Sequence, residues 1–206
     1  MGNEELGIRN EEFAPYDRCD DFSGKTLKPI WQWNHEPLAG KWSLKGGRLN
    51  ITAMPAKDYL WARNTLTQRA IGPVSTTTVT LDASKLKDGD IAGLAVLNMP
   101  YAYIGVEKSG KSLRLKWYDQ NGNKTEVANL SATTVYLRMT GDFDNATGTL
   151  LYSIDGKEFK QMGGEILMPY QLKTFQGARL SMFAYNTLGK QGGVAAFDDW
   201  QVDEPM

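Results

Sequence analysis

The chain has 206 residues, 41% of them hydrophobic, and carries 23 Lys and Arg against 24 Asp and Glu. That length fits one large β domain, and the near-neutral balance excludes a phosphate-tracking nucleic-acid surface. A lone cysteine, Cys19, allows no internal disulfide, and no apolar run reaches the roughly 20 residues of a membrane span.

Residues 1–18 are polar, contain Pro15 and show no hydrophobic period, so they read as a lead-in segment ahead of a single domain over 19–206. The acidic start, Met1 to Glu5, is not a signal peptide, and a chain beginning this way is expected to be either cytosolic or a piece cut from a longer, exported protein. From Asp21 onward, short alternating runs separated by Gly, Asn, Asp and Pro predict strands at 30–33, 41–44, 48–53, 59–68, 74–81, 91–98, 101–107, 112–118, 124–128, 134–140, 149–154, 177–185 and 194–202. No long stretch has the i, i+3, i+4, i+7 pattern of an amphipathic helix.

Several runs show which side faces in. Ala102, Ile104 and Val106 alternate with Tyr101, Tyr103 and Glu107, and Val135, Leu137 and Met139 alternate with Tyr136 and Arg138. The run Ile91 to Leu97 is apolar on both sides and predicts a central strand. Asn121-Gly122 and Asp155-Gly156 carry hairpin chemistry. The fold class that follows is all-β, an antiparallel two-sheet sandwich.

Three of the six tryptophans (Trp31, Trp33, Trp42) and the only histidine, His35, fall within twelve residues. Trp31 and Trp33 share one face of an extended strand, and Asn34 to Pro37 reads as a turn. Paired indoles beside a polar turn are either a core plug or a sugar platform. The run 59–68 places Trp61, Arg63, Thr65, Thr67 and Arg69 on one face, too polar for a core. Tyr101 and Tyr103 point outward from another strand, as do Arg179, Phe183 and Tyr185 from a later one. Flat rings with planar polar groups nearby suit pyranose faces and hydroxyls. The candidate carbohydrate-binding residues are therefore Trp31, Trp33, Asn34, His35, Trp61, Arg63, Asn64, Tyr101, Tyr103, Arg179 and Tyr185.

Catalytic patterns are absent: there is no phosphate loop, no nucleophile elbow and no second His to complete a zinc set. Cys19 sits among Asp17, Asp20 and Asp21, which disfavour a thiolate. Glu107 and Glu126 could face a sheet surface, yet nothing marks them as the paired carboxylates of a glycosidase. The doublets Asp20-Asp21 and Asp198-Asp199, each followed by a large aromatic residue, would meet if the first and last strands pair. They are either a candidate structural Ca²⁺ site or turn caps flanking core rings. No other cofactor is implied.

Taken together, Asp21-Phe22-Ser23-Gly24, Trp31 to Pro37, Trp42-Ser43-Leu44, Ala62 to Arg69, Gly89 to Leu94, Tyr101 to Gly105, Tyr136-Leu137-Arg138, Tyr152 to Gly156 and Phe197 to Trp200 resemble one family. It is the C-terminal concanavalin A-like domain of family 43 β-xylosidases and arabinofuranosidases, also classed as xylan-binding module family 91. The resemblance spans about residues 20–203. It implies a jelly-roll sandwich that follows a five-bladed catalytic propeller, packs against it, helps shape its pocket and in some members binds xylan. It further implies that this chain, holding the sandwich alone, has no hydrolytic activity of its own. Xylan or arabinoxylan and a propeller in cis are the implied partners.

Overall fold

The computed structural model describes residues 17–174 and 177–203. The lead-in expectation for 1–18 therefore falls almost wholly outside the described residues. Sixteen strands are described: β1 (Gln32–Trp33), β2 (Trp42–Leu44), β3 (Leu49–Thr52), β4 (Met54–Pro55), β5 (Leu66–Arg69), β6 (Val74–Asp82), β7 (Asp90–Leu97), β8 (Ala102–Ser109), β9 (Ser112–Asp119), β10 (Lys124–Leu130), β11 (Thr134–Asp142), β12 (Thr147–Ser153), β13 (Lys160–Gln161), β14 (Ile166–Leu167), β15 (Arg179–Asn186) and β16 (Val194–Asp203). Two 3₁₀ turns, Tyr59–Trp61 and Leu172–Thr174, interrupt them. Among the described residues no helix is long and apolar enough to cross a membrane.

The strands form two eight-stranded sheets. The front sheet runs β1-β5-β15-β7-β8-β9-β10, with β4 added parallel to β15, and the back sheet runs β13-β12-β11-β6-β16-β3-β2, with β14 added to β12. All other pairings are antiparallel. Consecutive hairpins on one sheet and crossings such as β14 to β15 between sheets make the two-sheet sandwich that the alternation predicts, in the jelly-roll form that the resemblance implies.

Between the sheets lies the main core, built from one side of each alternating strand: Ala92, Leu94 and Val96 of β7, Ile104 and Val106 of β8, and Val135, Leu137 and Met139 of β11. A second cluster covers the opposite side of the front sheet, where Ile91, Ala95 and Leu97 of β7 pack with Tyr59, Tyr101, Tyr103, Phe183 and Tyr185. Thus β7 is buried along its whole length, as its two-sided apolar sequence requires. Each large side chain removed from water in this way contributes about 1.5–3 kcal/mol.

β16 departs from strict alternation. Phe197 and Trp200 are three apart, yet both are fully buried. The register on β6 shifts between Asp198 and Gln201, and Asp199 has a left-handed φ of 50°. This bulge turns Trp200 back into the core. Trp200 also pairs with Asp20 in an isolated antiparallel bridge, both backbone hydrogen bonds being 2.9 Å.

Candidate functional site

The run 59–68 is not a single strand. Asp58 caps a 3₁₀ turn by accepting from Leu60 N–H (3.0 Å), the chain turns again at Arg63 and Asn64, and only Leu66–Arg69 joins the sheet. Asn64 has φ 58°, a left-handed conformation that an asparagine tolerates. The expected shared face of Trp61, Arg63, Thr65, Thr67 and Arg69 is therefore broken. Trp61, Arg63 and Arg69 are exposed, whereas Thr65 and Thr67 are buried.

This folded-over segment covers the rings expected to form an outward platform. Tyr101, Tyr103 and Tyr185 do lie on the outer side of the front sheet, but they are 3–5% exposed because Tyr59 packs onto them. The Tyr59 ring lies 5.1 Å from Tyr101 and 5.0 Å from Phe183, and its hydroxyl meets Ser181 Oγ at 2.6 Å. Burial pushes the phenols of Tyr59, Tyr101 and Tyr103 above the ordinary tyrosine range, and that of Tyr185 up to about 12. These rings are core.

The tryptophan-rich stretch divides. Trp31 is buried between Phe22 (5.7 Å between centroids) and Trp200 (5.0 Å). Trp33 is half-buried against Trp42, 4.8 Å away. Both indoles face the inter-sheet core.

The polar candidates, in contrast, converge at one end of the front sheet. Arg179 Nη2 donates to Asn34 Oδ1 (3.0 Å), and its Nη1 reaches Thr67 Oγ1 (3.4 Å). Burial and the nearby Arg69 lower the Arg179 pKa. His35 Nε2 lies 2.8 Å from Leu60 O; a carbonyl only accepts, so that nitrogen carries the proton. Arg63 Nη2 donates to Glu36 O (3.0 Å), and Asn64 Oδ1 accepts from Leu38 N–H (2.6 Å). Thus Asn34, His35, Arg63, Asn64 and Arg179 tie together the segments 34–38, 60–67 and β15. The Trp61 indole is 58% exposed, with Lys57 Nζ 4.9 Å from its centroid.

Beside this cluster is a cavity of about 310 Å³ lined by Asn34, Leu60, Leu97, Asn98, Thr174 and Arg179, among others. Lys173 and Thr174 of the turn Leu172–Thr174 line it as well, and neither this turn nor Asn98 is among the sites expected from sequence. Leu172, the first residue of that turn, and Tyr170 just ahead of it are 84% and 76% exposed. Their one sequence signal is two large apolar residues in a stretch with no period.

The four aspartates do not assemble a cation site. Asp20 accepts from Phe22 N–H (2.9 Å) with Oδ1 and from the Trp31 indole (2.7 Å) with Oδ2. Asp21 accepts from Ser23, Asp198 pairs with Arg48 (3.7 Å), and Asp199 accepts from Gln201. Among the described residues, no three His, Cys, Asp or Glu side chains come together where a metal ion could be held. The residues present do not fit Ca²⁺; the turn-cap reading describes them. Glu107 is bound by Arg114 (2.7 Å) and Lys116 (2.8 Å).

Fold and site together define a concanavalin A-like β-sandwich with an aromatic-polar end face. The chain belongs to the family of beta xylosidase C-terminal concanavalin A-like domains, whose model matches residues 19–203. It is 30% identical over 157 residues to a putative beta-xylosidase of Xylanibacter ruminicola, covering 75% of this chain and 29% of that protein. It is 29% identical over 207 aligned positions to a beta-xylosidase of Formosa agariphila, covering 88% of this chain and 34% of that one. The solved bifunctional GH43-CE protein of Bacteroides eggerthii superposes with a TM-score of 0.85 at 33% identity, over 91% of this chain and 26% of its own. This chain thus spans between 26% and 34% of the length of each of these proteins.

Proposed function

We propose that this chain is a non-catalytic accessory domain of a family 43 glycoside hydrolase acting on xylan or arabinoxylan, and that a catalytic propeller docks on the end of the front sheet around Trp61, Tyr170 and Leu172. The observation that carries this reading is the exposure of three large apolar side chains: Trp61 (58%) and Leu172 (84%) on the two 3₁₀ turns and Tyr170 (76%) just ahead of the second, with their neighbours Leu60, Lys173 and Thr174 lining one cavity. Large apolar groups gathered at one place on a surface mark a contact. The length of the relatives supplies the occupant, since most of each lies outside the matched region. Absence of hydrolysis by the chain itself is supported by Glu107, committed to two cations, and by His35, committed to Leu60 O.

The test mixes this chain with the catalytic part of the Xylanibacter ruminicola relative, produced without its own matched region. A complex is expected by light scattering on a sizing column, and Leu172→Glu is expected to abolish it. If wild type forms no complex, the docking reading is wrong.

A second reading, direct contact with polysaccharide, is favoured by one observation: the exposed indole of Trp61 follows Leu60, whose carbonyl holds His35 and which lines one cavity with Asn34 and Arg179. This is the mix of planar ring and planar polar groups that sugar hydroxyls need. It predicts retarded migration in native gels containing xylan, and no retardation on any plant polysaccharide removes it.

A further inference from the structure

After β14 on the back sheet, the chain crosses to the front sheet and enters β15 at Arg179. Tyr170 and Leu172 ride on this crossing. Among the described residues, neither sheet supplies a strand partner between β14 and β15, so the crossing is fixed by what its ends touch.

Asn98 immediately follows β7 and is 1% exposed. Its Nδ2 donates to Pro169 O (3.1 Å), and its Oδ1 accepts from Thr174 Oγ1 (2.9 Å). One buried amide therefore grips the crossing on both sides of Tyr170 and Leu172. Within the crossing, Thr174 N–H and Oγ1 also reach Gln171 O (3.1 and 3.3 Å), and Gly177 N–H donates to Thr174 O (2.7 Å), which closes the turn locally. The turn thus has its own shape, and Asn98 sets where that shape sits on the front sheet. The same amide forms part of the wall of the cavity shared with Asn34 and Arg179. The segment that carries Tyr170 and Leu172 is thus anchored through this residue to the end of β7.

We propose that Asn98 is the positioning residue of the docking face: it holds Tyr170 and Leu172 in register with Trp61, and its loss weakens the catalytic-domain contact without touching the contact itself. This rests on the docking reading above. Ordering an exposed loop before binding lowers the entropy that association must overcome, so a freed loop binds more weakly even with every contact residue present.

The experiment measures affinity for the same catalytic part of the Xylanibacter ruminicola relative with Asn98→Ala, Thr174→Val, Leu172→Ala and their pairs. Asn98→Ala is expected to weaken the complex about tenfold, the equivalent of about 1.4 kcal/mol, and Thr174→Val about threefold. The double variant should be no weaker than Asn98→Ala, because both remove the same grip. In a Leu172→Ala background, Asn98→Ala should add less than about twofold, a dependence that a merely structural residue would not produce. Wild-type affinity for Asn98→Ala, or full additivity with Leu172→Ala, overturns the proposal while leaving the docking reading intact. If wild type itself does not bind, both fall. Should Asn98→Ala not fold, Thr174→Val, which keeps the amide in place, decides alone: undiminished affinity overturns the proposal.

Discussion

The indole of Trp31 donates to Asp20 Oδ2 at 2.7 Å, and the two side chains are 9% and 5% exposed. The same carboxylate accepts from Phe22 N–H through Oδ1, and the Asp20 backbone bridges Trp200. One aspartate thereby links the start of the described chain, the tryptophan-rich stretch and the last strand. Asp20→Ala takes the acceptor from both N–H groups and should cost about 3 kcal/mol, whereas Asp20→Asn, which can still accept one bond, should cost about 1 kcal/mol. Urea denaturation followed by tryptophan fluorescence reads both, and equal losses would contradict the role given to the second oxygen.

Gly163 has φ 72°, and a Cβ there would run into the buried Trp117 ring. Left-handed strain and overpacking add, so Gly163→Ala should destabilise by about 2–4 kcal/mol. Gly164 has open space around its Cβ position, so Gly164→Ala should stay within about 0.5 kcal/mol of wild type. Paired melting curves of the two variants make the comparison.

The buried tyrosines set the alkaline limit. Desolvation raises the folded pKa of Tyr59, Tyr101, Tyr103 and Tyr185, so the native state holds these protons more tightly than the unfolded chain does. Their stabilisation is complete below the unfolded value of about 10 and is lost as pH rises through the folded values. Ultraviolet titration should show these four tyrosines ionising only as the fold melts. A single smooth titration of all nine tyrosines in folded protein would refute the burial described for the cluster.

Trp61 is exposed, so Trp61→Ala should change unfolding free energy by no more than about 0.5 kcal/mol. The same variant should lose whatever xylan retardation the wild type displays in native gels. Retardation that survives the substitution would place any sugar contact elsewhere on the surface.

Much of the sandwich was legible because alternation is written residue by residue. β11 separates Val135, Leu137 and Met139 from Tyr136 and Arg138, and β7 announces its double burial through an unbroken apolar run. β4 and β14 span two residues each, too short for any period to register, and neither was anticipated. The site was harder. Alternation placed Tyr101 and Tyr103 on the outer side of their sheet, but it carries no information about what lies above them. The cover is Tyr59, distant in sequence and held by a cap at Asp58 that reads like any loop aspartate. Asn64 misled the strand assignment because left-handed geometry leaves no periodic trace. Asn98 was invisible for a related reason: an asparagine ending a strand is ordinary until its two hydrogen-bond partners, some seventy residues away, are known.

The bridge between Asp20 and Trp200 brings the entry and exit of the fold to one spot, the two residues exchanging paired backbone hydrogen bonds. A short peptide could therefore join the ends, and new ones could be opened at the exposed hairpin tip Asn121-Gly122 between β9 and β10. Such a circular permutant keeps every strand pairing of both sheets while moving the point of tethering to the opposite end of a different hairpin. It turns the sandwich into a cartridge whose attachment point can be chosen independently of the surface it presents.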